Sequence, residues 1–418
     1  MKRFAFCATA FAAVVSSSAA FDPVKTNTVE HAGRTLEYYR HGSDPAWRAK
    51  NPNQVDSFGV LSPKTGPRKN APLYVVMHSA GHSLKSSLEC IKKPYNHDIY
   101  TPPADFYALY LDCKENSKTD WWWGAKGKGF EETPVEKRIV ATVEWTIEKY
   151  EINPERVYLA GNSMGGSGAL GIGMRRGDLF AAVKANVPAG VEHCFRRMGL
   201  GPRPEDEVAR AAFDKAVAEI PDPPVLVDYS APNDWWSKGH ETFLAALAER
   251  RYAVLGFWGN YGHANSDPHI ARHNDIIHHF AWTNVVRNAA YPVFTGASCD
   301  SRIDFVFSKA SIKEPGQING FFRWRNIRDE AGSVALELRL VEAGELKSKF
   351  FTPPASATAE VSIRRLQKFS VKPGDKVKWV FGSQKGEATI AADGLLHVGK
   401  LTISSVPEVL SLEKNSAN

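Results

Sequence analysis

From about Arg34 to about Val293, short apolar runs alternate with stretches of helical length. Pro72 to Met77, Phe106 to Asp112, Arg156 to Ala160, Pro224 to Tyr229 and Tyr252 to Trp258 read as short strands. Leu73-Tyr-Val-Val-Met77 is apolar at every position, as expected of a strand covered on both faces. Pro134 to Tyr150, Met164 to Arg176, His240 to Arg251 and Ile270 to Trp282 read as helices. Pro134 stands early in its helix, with Glu131 and Glu132 just before it, which is an N-terminal signature. Strands alternating with helices predict an α/β class: a mostly parallel sheet with helices on both faces.

The pattern then changes. Between about Ala297 and about Ser404 the chain carries short alternating segments and no good helix. These include Phe321 to Trp324, Val334 to Leu340, Ala359 to Ile363, Val377 to Phe381 and Leu395 to Ile403. Turn sequences such as Lys372-Pro-Gly-Asp375 and Ala392-Asp-Gly394 separate them. Regularly spaced short strands predict a small all-β sandwich, immunoglobulin-like or fibronectin-like. The expected division is a leader over 1–20, an α/β domain over 21–295, a β-sandwich over 296–408 and a flexible tail over 409–418. No repeat and no low-complexity linker is evident.

The leader reads as a secretory signal. Lys2 and Arg3 precede an apolar run from Phe4 to Val15, and Ser18-Ala-Ala20 offers small residues for cleavage before Phe21. The expected location is therefore secreted or periplasmic, with no later segment long enough to cross a membrane. Removing the leader leaves Cys90, Cys113, Cys194 and Cys299, an even number that permits two disulfides in an oxidising compartment. No C-x-x-C pair and no convincing His–carboxylate pattern at His78, His82 or His97 points to a metal. The net charge of +6 is spread without a dense basic run, which argues against a nucleic-acid partner.

The densest chemical signal is Gly161-Asn-Ser163-Met-Gly165-Gly166, which follows a strand and opens a helix. That is the setting of a nucleophile elbow, where flanking glycines permit the tight turn that presents a serine hydroxyl. Ile152-Asn-Pro-Glu-Arg-Val-Tyr158, running into this motif, resembles the bacterial esterases that include feruloyl esterases, acetylxylan esterases and polyhydroxybutyrate depolymerases. The resemblance covers about Ala71 to His263. It implies an α/β-hydrolase fold and acyl-ester hydrolysis, without a cofactor.

Hydrolases of this fold carry the nucleophile, the acid and the histidine in that chain order. Gly262-His263 follows the strand ending at Trp258, and the resemblance places the catalytic histidine in such a Gly-His pair. His269, His273, His278 and His279 are the competing rings. The acid is expected after the preceding strand, at Asp234, with Asp228 as runner-up because it lies within the strand. One oxyanion donor is expected at the Met164 amide. The second is expected in His78-Ser-Ala-Gly-His82, at Ala80 before Ser79. Trp121 to Trp123 and Trp235-Trp236 lie in loops after strands, where open α/β sheets bind ligands. Trp122, Trp123, Trp235 and Trp236 are thus candidates for a substrate wall.

The expected activity is a secreted serine esterase that removes acetyl or feruloyl groups from plant polysaccharide. Its partner is then an esterified polysaccharide or small ester, with no nucleic acid and no membrane; the oligomeric state is left open. Polyester depolymerisation or peptide hydrolysis on the same fold is the second reading. A carbohydrate-binding protein with an inactive hydrolase domain is the third.

Overall fold

Leu73–Met77, Tyr107–Leu111 and Val157–Asn162 are buried at every position, and they lie side by side in the middle of one sheet. The computed structural model describes residues 21–92, 98–113, 122, 130–232, 234–259, 263, 275–303, 315–346 and 351–414. The expected leader over 1–20 lies outside the described residues. Within them, no helix is long and apolar enough to cross a membrane.

The first nine strands in chain order are β1 (Val24–His31), β2 (Arg34–Gly42), β3 (Val55–Leu61), β4 (Leu73–Met77), β5 (Tyr107–Leu111), β6 (Val157–Asn162), β7 (Ala182–Asn186), β8 (Val225–Ser230) and β9 (Val254–Trp258). Next come β10 (Tyr291–Thr295) and β11 (Gly316–Ile318). The large sheet has the order β1-β2-β3-β5-β4-β6-β7-β8-β9-β11. Strands β4 through β9 run parallel in it, while β1, β2, β3 and β11 pair antiparallel. The helices are α1 (Leu84–Glu89), α2 (Pro134–Lys149), α3 (Met164–Gly173), α4 (Val191–Arg197), α5 (Glu207–Ala218), α6 (His240–Glu249) and α7 (Asp275–Phe280). This is the mostly parallel, helix-covered sheet expected from the pattern, and its strand order is that of the α/β-hydrolase fold that the resemblance implies.

Side chains of the central strands alternate between two cores, as strand geometry requires. Leu73, Val75, Leu159, Val183 and Leu226 face the core shared with α2, α3 and α6. Tyr74, Val76, Tyr158, Val227 and Leu255 face the other, which continues without a break into the second unit. α2 begins as its sequence predicts. Pro134 is at its first turn, and Thr133 and Glu136 form a reciprocal capping box.

The remaining strands are β12 (Phe322–Asp329), β13 (Ser333–Leu340), β14 (Ser356–Arg364), β15 (Lys376–Phe381), β16 (Gln384–Thr389), β17 (Leu396–Ser404) and β18 (Glu408–Lys414). They form a three-stranded sheet, β10-β14-β17, and a five-stranded sheet, β12-β13-β18-β15-β16. Two expectations need correction. The tail over 409–418 is not flexible up to Lys414: β18 is an inner strand, and Leu410 and Leu412 point into the core. The division at 295/296 is also not a clean one. β10 belongs to the β-sandwich, whereas β11, from the far side of that division, closes the large sheet against β9. Buried arginines reinforce this interlock. Arg364 donates to Arg250 O at 2.9 Å and Arg251 O at 2.6 Å, and both Arg364 and Arg365 pair with Asp222.

Candidate active site

Ser163 stands between the last residue of β6 and the first of α3, with φ 56° and ψ −117°. A non-glycine residue in this region carries a local cost of about 1–3 kcal/mol, which the surroundings must sustain. They do so through close backbone approach. A Cβ on Gly161 would press on Gly165 O, one on Gly165 on Met77 O, and one on Gly166 on Asn186 O. All three contacts would be nearer than 3.0 Å. The glycines thus let α3 pack directly on β4, β6 and β7. The Ser163 amide donates to Asn186 O at 2.9 Å, and its carbonyl accepts from Ser167 N at 2.9 Å. The hydroxyl is left to point away from the sheet.

Two other loops converge on that hydroxyl. His263 Nε2 lies 2.7 Å from Ser163 Oγ, and His263 Nδ1 lies 2.5 Å from Asp234 Oδ2. The contact with a carboxylate oxygen makes Nδ1 the proton-bearing nitrogen, so Nε2 accepts from the serine hydroxyl. Asp234 is held by its second oxygen: Oδ1 accepts from Trp236 N at 3.1 Å, capping the short turn Trp235–Ser237. One carboxylate therefore both caps a turn and orients a ring. Ser163 and Asp234 are buried, while the His263 side chain is 38% exposed and reaches the surface.

Asp228, the runner-up acid, is engaged elsewhere. It is buried in β8 with Oδ2 3.4 Å from His240 Nε2, and Ser230 Oγ lies 2.7 Å from the same nitrogen. Ser230, His240 and Asp228 match a catalytic set by residue type. All three are buried, and they lock α6 onto β8.

Met164 begins α3, so its amide is one of the helix N–H groups without an intrahelical acceptor. Residues Ser79 to His82 form a turn, with His82 N donating to Ser79 O at 3.1 Å and Gly81 at φ 78°. That turn bond does not use the Ala80 amide. The Ser79 amide, by contrast, donates to Tyr100 Oη at 2.8 Å. Ser79 Oγ is shared with Tyr100 and Asn162. Burial pushes the Tyr100 phenol up to about 12, so it stays protonated and ties the turn to the core. Tyr100 and Asn162 were not legible as loop supports, because neither carries a local sequence signal of that role.

Of the proposed tryptophan wall, Trp122 must be withdrawn. It is 0% exposed, its indole N–H donates to His78 O at 3.0 Å, and its ring meets His78 edge-on at 4.9 Å. Gly168 of α3 makes room for it. Trp122 is thus core beneath the 78–82 turn. Trp123 and Trp121 lie outside the described residues. Trp236 places its ring 5.5 Å from that of His263, inclined by 31°. Trp235 is 65% exposed beside it.

Among the competing histidines, His269 and His273 lie outside the described residues, as does the start of the helix expected from Ile270. The ring of His279 is held by Arg323 Nε at 3.0 Å and lies 3.4 Å from Glu345. Arg323, which sequence reasoning missed, also donates to Ile276 O at 3.0 Å. It fastens α7, the helix that follows the His263 loop, to β12. Burial lowers its guanidinium to about 9.

The two disulfides that the even cysteine count permits are not formed among Cys90, Cys113, Cys194 and Cys299, and the first three are buried. Cys90 and Cys194 donate to Ser86 O and Leu170 O on separate helices. Burial pushes the Cys194 thiol up to about 12. Among the described residues no cluster of three metal-ligating side chains occurs.

No family model matches the chain, and no curated protein matches it. Several solved structures are similar. An S-formylglutathione hydrolase from Agrobacterium tumefaciens is 14% identical over 60% of this chain and 98% of that one, with a TM-score of 0.39. An esterase from Rhizomucor miehei is 16% identical over 64% and 85%, at 0.36. A ferulic acid esterase is 13% identical over 55% and 92%, at 0.34. Likeness of this degree says nothing of what the chain does, and the fold rests on its own strand order.

Proposed function

We propose that this chain is an exported serine esterase that hydrolyses carboxylic esters, with acetyl or feruloyl groups on plant polysaccharide as its substrates. The observation that carries this reading is the continuous hydrogen-bonded set Ser163–His263–Asp234 on a strained turn at the sheet's C-terminal edge. In the proposed reaction Ser163 Oγ attacks the ester carbonyl carbon, and His263 Nε2 takes its proton. The oxyanion is met by the amides of Met164 and Ala80. The C–O bond to the alcohol then breaks, and His263 returns the proton to the leaving oxygen. Water, deprotonated by His263, frees the acid from Ser163. Asp234 keeps the imidazole in the tautomer this sequence needs.

Support for a polymeric substrate is narrower than four tryptophans would have given. It now rests on Trp235 and Trp236 beside His263, since flat indoles stack on sugar or aromatic rings. Trp235→Ala is expected to raise KM for acetylated xylan severalfold while leaving KM for p-nitrophenyl acetate within twofold, because an exposed stacking platform contributes about 1 kcal/mol. Equal effects on both substrates would remove Trp235 from the binding surface. The activity itself is tested by comparing purified protein on acetylated xylan, methyl ferulate, polyhydroxybutyrate and a peptide amide. Release of acetate or ferulate, with the other two intact, supports the proposal. Preferential cleavage of the polyester or the peptide would replace it.

A further inference from the structure

Asp234 is carried by the loop that joins the end of β8 to the start of α6. A carboxylate on a loop orients an imidazole only as well as the loop backbone is itself held. Ser237 closes this one. Its Oγ donates to Ala231 O at 2.7 Å and accepts from Ala231 N at 3.2 Å. Its amide donates to Asp234 O at 3.0 Å, and Asp234 N donates to Ala231 O at 2.8 Å. Ser237 is 1% exposed, so the hydroxyl is a fixed part of the interior.

Ser237 is held in turn by His240, the first residue of α6. Gly239, at φ 88°, bends the chain between them. His240 Nδ1 lies 3.1 Å from Ser237 O. A carbonyl oxygen only accepts, so Nδ1 carries the proton and donates it. Nε2 faces Ser230 Oγ of β8 at 2.7 Å. The ring is 0% exposed, and no solvent can take over either bond. The bonds run without a break from Ser230 through His240 and Ser237 to the turn that presents Asp234. Asp234 Oδ2 then meets His263 Nδ1 at 2.5 Å.

We propose that His240 and Ser237 are positioning residues for the reaction at Ser163: the Nδ1 proton of His240 fixes the Ser237 carbonyl, and the turn so fixed aims the Asp234 carboxylate at His263. The effect on turnover rests on the reading of Ser163, His263 and Asp234 as catalytic; the effect on the Asp234–His263 bond does not.

Asn and Gln at position 240 separate positioning from packing. The amide nitrogen of Asn is bonded to Cγ, as Nδ1 is, and can donate to Ser237 O. That of Gln lies one bond further out, in the place of Nε2, and loses this acceptor. Both remove the ring, so a role in packing alone would be damaged alike by the two. His240→Asn is expected to keep kcat on p-nitrophenyl acetate within about threefold of wild type. His240→Gln is expected to lower it about a hundredfold at nearly constant KM, the cost of misplacing a catalytic group by about 1 Å. Ser237→Ala, which gives a second reading if His240→Gln does not fold, is expected to lower it about tenfold.

Proton NMR supplies a measurement that needs no turnover. The proton between His263 Nδ1 and Asp234 Oδ2 is expected to give a far-downfield signal, assigned by its loss in Asp234→Asn. The signal should stay in place in His240→Asn and move upfield in His240→Gln and Ser237→Ala. Equal losses of kcat in His240→Asn and His240→Gln would overturn the proposal. So would a wild-type signal together with wild-type kcat in folded His240→Gln or Ser237→Ala. A wild-type protein that hydrolyses no ester, yet shows this pattern of signals, would sink the hydrolase reading and uphold the positioning.

Discussion

Replacing Asp234 with asparagine is expected to lower kcat on p-nitrophenyl acetate by about four orders of magnitude, with KM nearly unchanged. The size follows from the two bonds that the carboxylate makes. Oδ1 accepts from Trp236 N, and only a carbonyl oxygen can replace it there. The asparagine amide therefore turns its NH2 toward His263 Nδ1. That nitrogen must then accept, the ring proton moves to Nε2, and Ser163 Oγ loses its base. The fold should survive, since the turn cap is kept; an unchanged circular dichroism spectrum checks this. A kcat within tenfold of wild type would mean that Asp234 does not set the tautomer.

Gly165→Ala is expected to cost about 3 kcal/mol or more of stability and to remove most activity. Its new Cβ would meet Met77 O and His78 O, both backbone atoms that no rotamer change can move. Relief requires α3 to shift away from β4, carrying Ser163 and the Met164 amide with it. Gly171, in the same helix, has nothing within 4 Å of a built Cβ. Gly171→Ala is therefore expected to be neutral or stabilising by up to about 1 kcal/mol. Thermal melts of the two variants make the comparison. Similar midpoints would show that the elbow tolerates a side chain where the packing leaves no space.

The contrast between these glycines shows what the chain reveals before folding. Gly161, Ser163 and Gly165 are legible because a sharp strand-to-helix turn needs small residues at fixed offsets. Asp234 and His263 are legible because chain order and the ends of β8 and β9 restrict them to short loops. β7 was not legible: Ala182-Val-Lys-Ala-Asn186 has the composition of a helix, and only burial between β6 and β8 makes it a strand. β1 is exposed over nearly its whole length and so carries no alternation. Trp122 misled because its loop position matched a ligand wall, while its place under the 78–82 turn depends on Gly168, far along the chain. β18 was read as tail because two inward leucines at the end of a polar segment look incidental until β13 and β15 close around them.

The central claim is that Ser163 carries a hydroxyl made nucleophilic by His263. Incubation of the folded protein with a fluorophosphonate, followed by peptide mass spectrometry, tests it most directly. The account predicts one modified peptide with the adduct on Ser163, and no adduct in either Ser163→Ala or His263→Ala. An unreactive wild-type protein, or an adduct on a different serine, would contradict it.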